Sequence, residues 1–330
     1  MKKIAIITFY YGHFNKMMDF WFKSVERNPT VNFFMFTDLP IHNKPQNLQT
    51  INFSFDELIN YTQQKFDFKI CVPEPYKYPD FRPAFGEIFS EYLAEYDFWG
   101  FCDTDIILGD IRAFLTDEIL NQYDKFFALG HFSLYRNTVE INATYKKCKE
   151  PNYKQVFTFG MNSAFEEYFG TSRYWDKYLP ERFYREITFD DLDCYKYAFT
   201  PLFNKKKDVI GKHIIYSYEN GKLFRVYDSK GSINKKEIMY VHFQKRQMKI
   251  ETPACEKFMI IPNSFITFID NLNPNDLKRF DVSQKCYPHA IKLHLNTIRN
   301  KIKKLYISLN PSNFGNPILP KDGANYYKEI

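Results

Sequence analysis

Short apolar or β-branched runs bounded by turn formers recur along this chain, and they predict strands at Lys3 to Phe9, Val31 to Thr37, Leu48 to Phe53, Phe98 to Cys102, Lys125 to Leu129 and Ile238 to Phe243. Between several of them the apolar spacing turns helical. The clearest case is Pro83 to Leu93, where Pro83 suits a first helical position and Ala84, Ile88 and Tyr92 recur on one face. This alternation predicts an α/β domain with a largely parallel sheet, whose ligands should gather at the carboxyl ends of the strands. From Tyr135 to Asp208 the period weakens, and mixed helix and loop is expected there. Near the end, Ile291, Leu295, Ile298, Ile302 and Leu305 alternate at four- and three-residue spacing opposite Lys292, Arg299, Lys303 and Lys304, which predicts a basic amphipathic helix over Pro288 to Tyr306.

Length limits what these elements can build. A chain of 330 residues, 45% hydrophobic, supports one catalytic domain over residues 1–270 and a basic helical extension over 271–330. No run approaches the roughly 20 apolar residues of a membrane span, and the basic, apolar start is too short for a signal peptide, so a soluble, cytoplasmic protein is expected. The six cysteines are scattered without a Cys-x-x-Cys pair, which gives no support to a zinc site or a disulfide framework. The net charge of +6 is unevenly spread, because Val282 to Lys321 holds Lys285, Lys292, Arg299, Lys301, Lys303, Lys304 and Lys321 and no acid. An anionic membrane surface is the partner favoured for that helix, with a peripheral position on the inner membrane face. The other reading packs the apolar stripe on the domain. Acidic residues in the middle of the chain break any continuous phosphate-binding face, so no nucleic-acid partner is expected.

The chemistry concentrates in Tyr96-Asp97-Phe98-Trp99-Gly100-Phe101-Cys102-Asp103-Thr104-Asp105, followed by an apolar run and Gly109-Asp110. A hydrophobic strand delivers two carboxylates, one residue apart, to its carboxyl end. Hard oxygen ligands at that position suit Mn²⁺ or Mg²⁺ against a diphosphate. An Asp-x-Asp triplet alone is a weak signal, since most such acids cap turns or helices; its position at a strand end strengthens it.

From Phe85 to Ile111 the chain resembles the retaining GT-A glycosyltransferases of the glycogenin and bacterial galactosyltransferase type: an amphipathic helix, Glu95-Tyr96-Asp97, a buried strand, Asp103-Thr104-Asp105 and Gly109-Asp110. Asp80 to Gly86, His131 to Asn137 and Tyr240 to Lys245 further resemble an uncharacterised bacterial family of capsule and surface-polysaccharide glycosyltransferases. The resemblance implies a GT-A fold, donor contact by Asp103, and a metal shell of Asp103, Asp105 and a late histidine, for which His242 is the candidate at the end of an apolar strand. It departs from the pattern in two places. Lys245 follows His242 by three residues rather than six, leaving a phosphate contact by Lys245 or Arg246 open, and Gly86 stands where the family carries a donor-binding arginine, with Arg82 one turn earlier as the substitute. Tyr11 and Asp38, at the ends of the first two strands, lie where such proteins hold the nucleotide: Tyr11 to stack on a uracil, Asp38 to accept from its imide. Asp190 and Asp191 resemble the acids near the donor sugar and are the candidate catalytic pair; the alternative is an acid-enriched helix N-terminus.

Together these features point to transfer of a hexose or related sugar from a UDP-sugar to a glycan or lipid-linked saccharide, with retention implied by the resemblance alone. A sugar nucleotidyltransferase should show a Gly-rich basic loop after the first strand, which Phe9-Tyr10-Tyr11-Gly12-His13 is not. A non-catalytic sugar-binding protein would not need Asp-x-Asp together with a late histidine.

Overall fold

The computed structural model of the protein describes residues 1–203, 211–281 and 288–309. Strands β1 (Ile4–Phe9), β2 (Val31–Thr37), β3 (Leu48–Asn52) and β4 (Phe98–Cys102) pair in parallel in the order β3-β2-β1-β4. Helices and loops cover both faces, so Ile4 and Ile6 enter one apolar layer while Ala5 and Ile7 enter the other. Burial on both sides is why these strands read as apolar runs rather than as alternation. After β4, the short β5 (Ile106–Leu108) turns out of this sheet. The sheet continues through β7 (Phe132–Arg136), β6 (Lys125–Phe126) and β8 (Phe183–Tyr184), with β7 antiparallel to β4. This is the mixed α/β fold, with a mostly parallel central sheet flanked by helices, that the strand and helix alternation predicts.

Beyond β9 (Asp190–Asp191) the chain forms a second, mainly antiparallel sheet. Its strands are β10 (Lys212–Glu219), β11 (Lys222–Ser229), β12 (Ser232–Ile238), then, after β13 (Tyr240–His242), β14 (Lys249–Ile250), β15 (Lys257–Ile261) and β16 (Ser264–Thr267). They order as β12-β11-β10-β15-β16-β14, while β5, β13 and β9 form a three-stranded sheet between the two larger ones.

Several local expectations are corrected. Pro83 to Leu93 is not one helix: a 3₁₀ segment, Pro75–Ala84, is followed by two short α-turns, Phe85–Ile88 and Ser90–Leu93. Pro79 and Pro83 have no N–H to give to an α-helical ladder, and Pro75 rather than Pro83 takes the first position. The apolar face is nevertheless as expected, since Ala84 and Ile88 are fully buried. The strand expected to reach Leu129 ends at Phe126, because Phe127 adopts φ 61°. Ile238 to Phe243 divides between the end of β12 and β13 at Met239, whose N–H leaves the β12 ladder for the Thr188 carbonyl.

Helix Pro274–Phe280 packs Leu277 against Ile215, Val226 and Met259 of the second sheet. Among the described residues, the helix Pro288–Leu309 meets the domain near its start: Ala290 and Leu293 are buried, His294 stacks on Tyr195 at 4.5 Å, and Thr297 lies 3.1 Å from the Tyr195 hydroxyl. Its apolar stripe faces away. Ile291, Leu295, Ile298, Ile302 and Leu305 are 53–62% exposed, so the reading in which the stripe packs on the domain is corrected. The parts of the acid-free segment at 282–287 and 310–321, with Lys285 and Lys321, lie outside the described residues. Among the described residues, no helix is long and apolar enough to cross a membrane, and the five cysteines are free.

Candidate active site

Three elements distant in sequence bring the candidate ligands together. Strand β4 ends at Cys102, whose carbonyl accepts from the Thr8 hydroxyl of β1, and delivers Asp103 and Asp105 beyond the sheet edge. The chain returns antiparallel as β13, which pairs His242 with Ile106, while the Phe243 N–H donates to the Asp105 carbonyl at 3.0 Å. On the other side β9 runs parallel to β13 and sets Asp191 opposite His242.

The result is a shared imidazole. His242 Nε2 lies 3.3 Å from Asp105 Oδ1, and its Nδ1 lies 2.8 Å from Asp191 Oδ1, which also accepts from Gln244 Nε2 at 2.8 Å. With Asp191 holding the Nδ1 proton, Nε2 is turned toward the Asp-x-Asp carboxylates; this carboxylate–histidine pairing is the usual way a protein fixes the tautomer of a metal ligand. Ligand atoms of Asp103, Asp105 and His242 all fall within 4.8 Å of one another. Two hard oxygens and one imidazole match the donor set of Mn²⁺, and also of Mg²⁺ if water fills the remaining positions. Burial alone would lower the His242 pKa, but Asp105 and Asp191 outweigh it and hold the ring's pKa well above the ordinary value. A cation among these groups would take over the charge balance from that proton.

Two further residues complete the site, and their chemistry does not stand out in the sequence. His131, buried behind His242 with ring centroids 4.4 Å apart, meets the Tyr240 hydroxyl at Nδ1. Its Nε2 has no hydrogen-bond partner and stands 4.0 Å from Asp191 Oδ2, while burial and the neighbouring His242 push its pKa down to about 3. Glu167, on a π-helical turn at Phe165–Phe169, accepts the Gly130 N–H at 3.1 Å; burial chiefly, and the nearby Asp103 and Asp191, raise its pKa to about 7 against the pull of Arg82.

A cavity of about 750 Å³ opens at this edge of the sheet, and Tyr11, Arg82, Asp103, Asp105 and Glu167 all line it. Arg82 donates to Asp103 Oδ1 and to the Gly130 carbonyl, with its guanidinium 5.0 Å from the Phe101 ring centroid. Gly86 cannot take over this position. A Cβ there would meet Asn142 and Trp99 at 2.5 Å, which is a steric reason for the arginine to sit a turn earlier. Tyr11 packs edge-on against Phe55.

The other candidates lie outside the lining. Asp38 is exposed at the end of β2, near enough to Tyr11 to raise its pKa after burial has done so. Lys245 is exposed, its Nζ 5.9 Å from the ring centroid of the cavity-lining Tyr76. Arg246 is buried, and its guanidinium donates to the carbonyls of Asp193, Lys196, Tyr197 and Ala198. Asp190, 2% exposed, points away from His242: Arg225 clamps its carboxylate from two nitrogens and Tyr216 donates to it at 2.8 Å. The two neighbouring acids therefore occupy different environments, and both lie in a strand rather than at a helix N-terminus.

Fold and site together define an α/β protein with a carboxylate–imidazole centre at the carboxyl edge of its parallel strands. A family model matches residues 6–269, and the chain belongs to that family, the Family of unknown function (DUF6625). No curated protein matches the sequence. Two solved structures bear a distant likeness. Mouse xyloside xylosyltransferase 1, in its apo form, is 11% identical with a TM-score of 0.34, over 58% of this chain and 88% of the other. The galactosyltransferase LgtC, in complex with donor and acceptor sugar analogs, is 10% identical with a TM-score of 0.32, over 57% and 74%.

Proposed function

We propose that the protein is a GT-A glycosyltransferase that moves a hexose from a UDP-sugar to a glycan or lipid-linked saccharide, with Mn²⁺ or Mg²⁺ held by Asp103, Asp105 and His242. The observation that carries this reading is the convergence of those three side chains beside a cavity large enough for a nucleotide-sugar. A bound divalent cation would neutralise the negative charge that grows on the departing diphosphate. Asp191 accepts the Nδ1–H of His242 and so presents Nε2. Arg82 orients Asp103 and adds positive charge at the cavity wall. Tyr11 offers a ring face to the base, with Asp38 beside it to accept from the imide, and Lys245 stands at the rim to meet a phosphate. Of the two acids read as the catalytic pair, Asp191 acts through His242, while Asp190 serves the fold through Arg225. Retention of anomeric configuration belongs to the same proposal and follows only from the resemblance.

Calorimetry with UDP, GDP and CMP, with and without Mn²⁺, tests the core of it. UDP should bind in the presence of Mn²⁺ and stabilise the native state by mass action. Undiminished UDP affinity after complete chelation would remove the metal bridge from the reading.

The same proposal assigns the helix Pro288–Leu309 to an anionic membrane surface, on the inner face, where a lipid-linked acceptor would be presented. A stripe of exposed Ile and Leu flanked by Lys292, Arg299 and Lys301, with no acid in the helix, suits a headgroup interface. The full chain should co-sediment with phosphatidylglycerol-containing vesicles and less with phosphatidylcholine alone, and Leu295→Glu with Ile302→Glu should abolish the difference. Equal sedimentation by the double variant, or a concentration-dependent dimer that vesicles do not disturb, would give the stripe another occupant.

A further inference from the structure

We infer that Glu167 is the carboxylate that recognises a hydroxyl of the transferred sugar, a specificity-determining residue of the cavity; this rests on the proposed function. The geometry is built rather than incidental. Ala164 enters the π-helical turn in the left-handed region at φ 50°, a conformation that is costly for a residue with a Cβ and occurs where surrounding structure enforces it. That turn carries two consecutive acids, both at the wall of the cavity. Glu166 is drawn inward, where Lys125 Nζ at 2.7 Å, the Tyr135 hydroxyl at 2.7 Å, Thr171 Oγ1 at 2.6 Å and Ser133 Oγ at 3.1 Å hold it. Glu166 is thus committed to its neighbours, whereas Glu167, at the same wall, accepts only the Gly130 N–H among the described residues.

Its position relative to the proposed metal ligands is fixed through the backbone. The Gly130 N–H donates to Glu167 Oε1, the Gly130 carbonyl accepts from Arg82, and Arg82 also holds Asp103. A Cβ at residue 130 would lie 2.5 Å from Oε1, so a larger residue there would have to displace the Glu167 carboxylate. Glu167 lies outside the cluster of ligand atoms formed by Asp103, Asp105 and His242. Its Oε2 accepts no hydrogen bond among the described residues. A carboxylate oxygen with free lone pairs inside a cavity, one arginine removed from the metal-side carboxylates, is suited to a neutral donor: the hydroxyls of the sugar attached to the diphosphate. When ionised, which its raised pKa confines to pH above about 7, Glu167 is a charged acceptor that discriminates strongly, since a ligand lacking the donor leaves the carboxylate desolvated without a partner.

The test compares UDP, UDP-glucose, UDP-galactose and UDP-N-acetylglucosamine by calorimetry with Mn²⁺ on the wild type, Glu167→Gln and Glu167→Ala. Wild type identifies the preferred sugar. Glu167→Ala should then lose about tenfold or more in affinity for that UDP-sugar, as expected of a charged hydrogen bond, while UDP itself binds within about twofold of wild type. Glu167→Gln should fall between them. A deoxy analogue lacking the recognised hydroxyl should bind Glu167→Ala at least as well as wild type, because the pair's coupling is then gone and only the wild type strands a carboxylate. Equal losses for UDP and UDP-sugar would mean that Glu167 only supports Gly130 and Arg82, and an unchanged UDP-sugar affinity would exclude the contact; either result overturns the inference. A wild type that binds no nucleotide with Mn²⁺ overturns the proposed function itself, and is read before any variant.

Discussion

Asp105→Asn should abolish Mn²⁺-dependent transfer while leaving the protein folded. An amide keeps the size of the side chain but removes the negative charge that offsets a divalent cation. Substituting an outer-shell partner of a metal ligand already costs about 10–100-fold in metal affinity, so loss of a direct ligand should exceed about 100-fold. Folding should survive because Asp105 is partly exposed and the bond that fixes the strand crossing at this point runs through its carbonyl, not its side chain. His242→Ala should also lose metal affinity, but less completely, because water can occupy the place of a neutral ligand. Since both residues would hold one ion, the double variant should be scarcely worse than Asp105→Asn alone. Mn²⁺ titrations, UDP-sugar hydrolysis and melting temperature on the three proteins distinguish this from a structural His242. In that case His242→Ala would lower the melting temperature, keep Mn²⁺-dependent UDP binding, and add independently to Asp105→Asn. Wild-type turnover by Asp105→Asn would end the metal-site proposal.

The residues in that experiment are legible in the sequence for a physical reason. Strands buried on both faces must be continuously apolar, so β1, β2 and β4 stand out, and the first polar residues after them fall at the sheet's carboxyl edge. Asp103 and Asp105 are found that way, whereas a late histidine is what the resemblance implies, with His242 the candidate because it ends an apolar run. What the sequence does not display is the company they keep. Glu167 belongs to a segment without a clear period, and His131, though it heads a stretch that carries the resemblance, is brought behind His242 by the antiparallel pairing of β7 with β4 and the crossing of β13. The second sheet escapes the periodicity although a signal for it exists. Glu219-Asn220-Gly221-Lys222 is a two-residue hairpin turn between strands of eight residues each, with Asn220 at φ 53° and Gly221 at φ 93°. The helix expected over Pro83 to Leu93 illustrates the opposite error. Its apolar spacing is real, but three prolines in Pro75–Ala84 decide the backbone geometry before periodicity can.

The neighbouring acids of β9 yield the other large effect expected, on stability rather than chemistry. Asp190 and Arg225 are each 2% exposed and face one another across the junction of the small sheet and the antiparallel sheet, with Tyr216 donating to the same carboxylate. Removing one partner of such a pair leaves a buried charge without compensation, which costs about 3–5 kcal/mol. Asp190→Ala and Arg225→Ala should each lower the urea midpoint accordingly. Arg225→Met with Asp190→Leu should recover much of the loss, since a matched apolar pair leaves no stranded charge. The pair also bears on the site. Asp190 sits beside Val241 and Asp191 beside His242 in one parallel register, so the ion pair anchors the strand that brings Asp191 to the imidazole. A destabilised Asp190 variant that still folds at low temperature should therefore bind Mn²⁺ more weakly, whereas the apolar pair should bind it as wild type does. If Asp190→Asn instead keeps full stability and Mn²⁺ affinity but loses turnover, Asp190 takes part in the chemistry, and Arg225 is more than a structural partner to it.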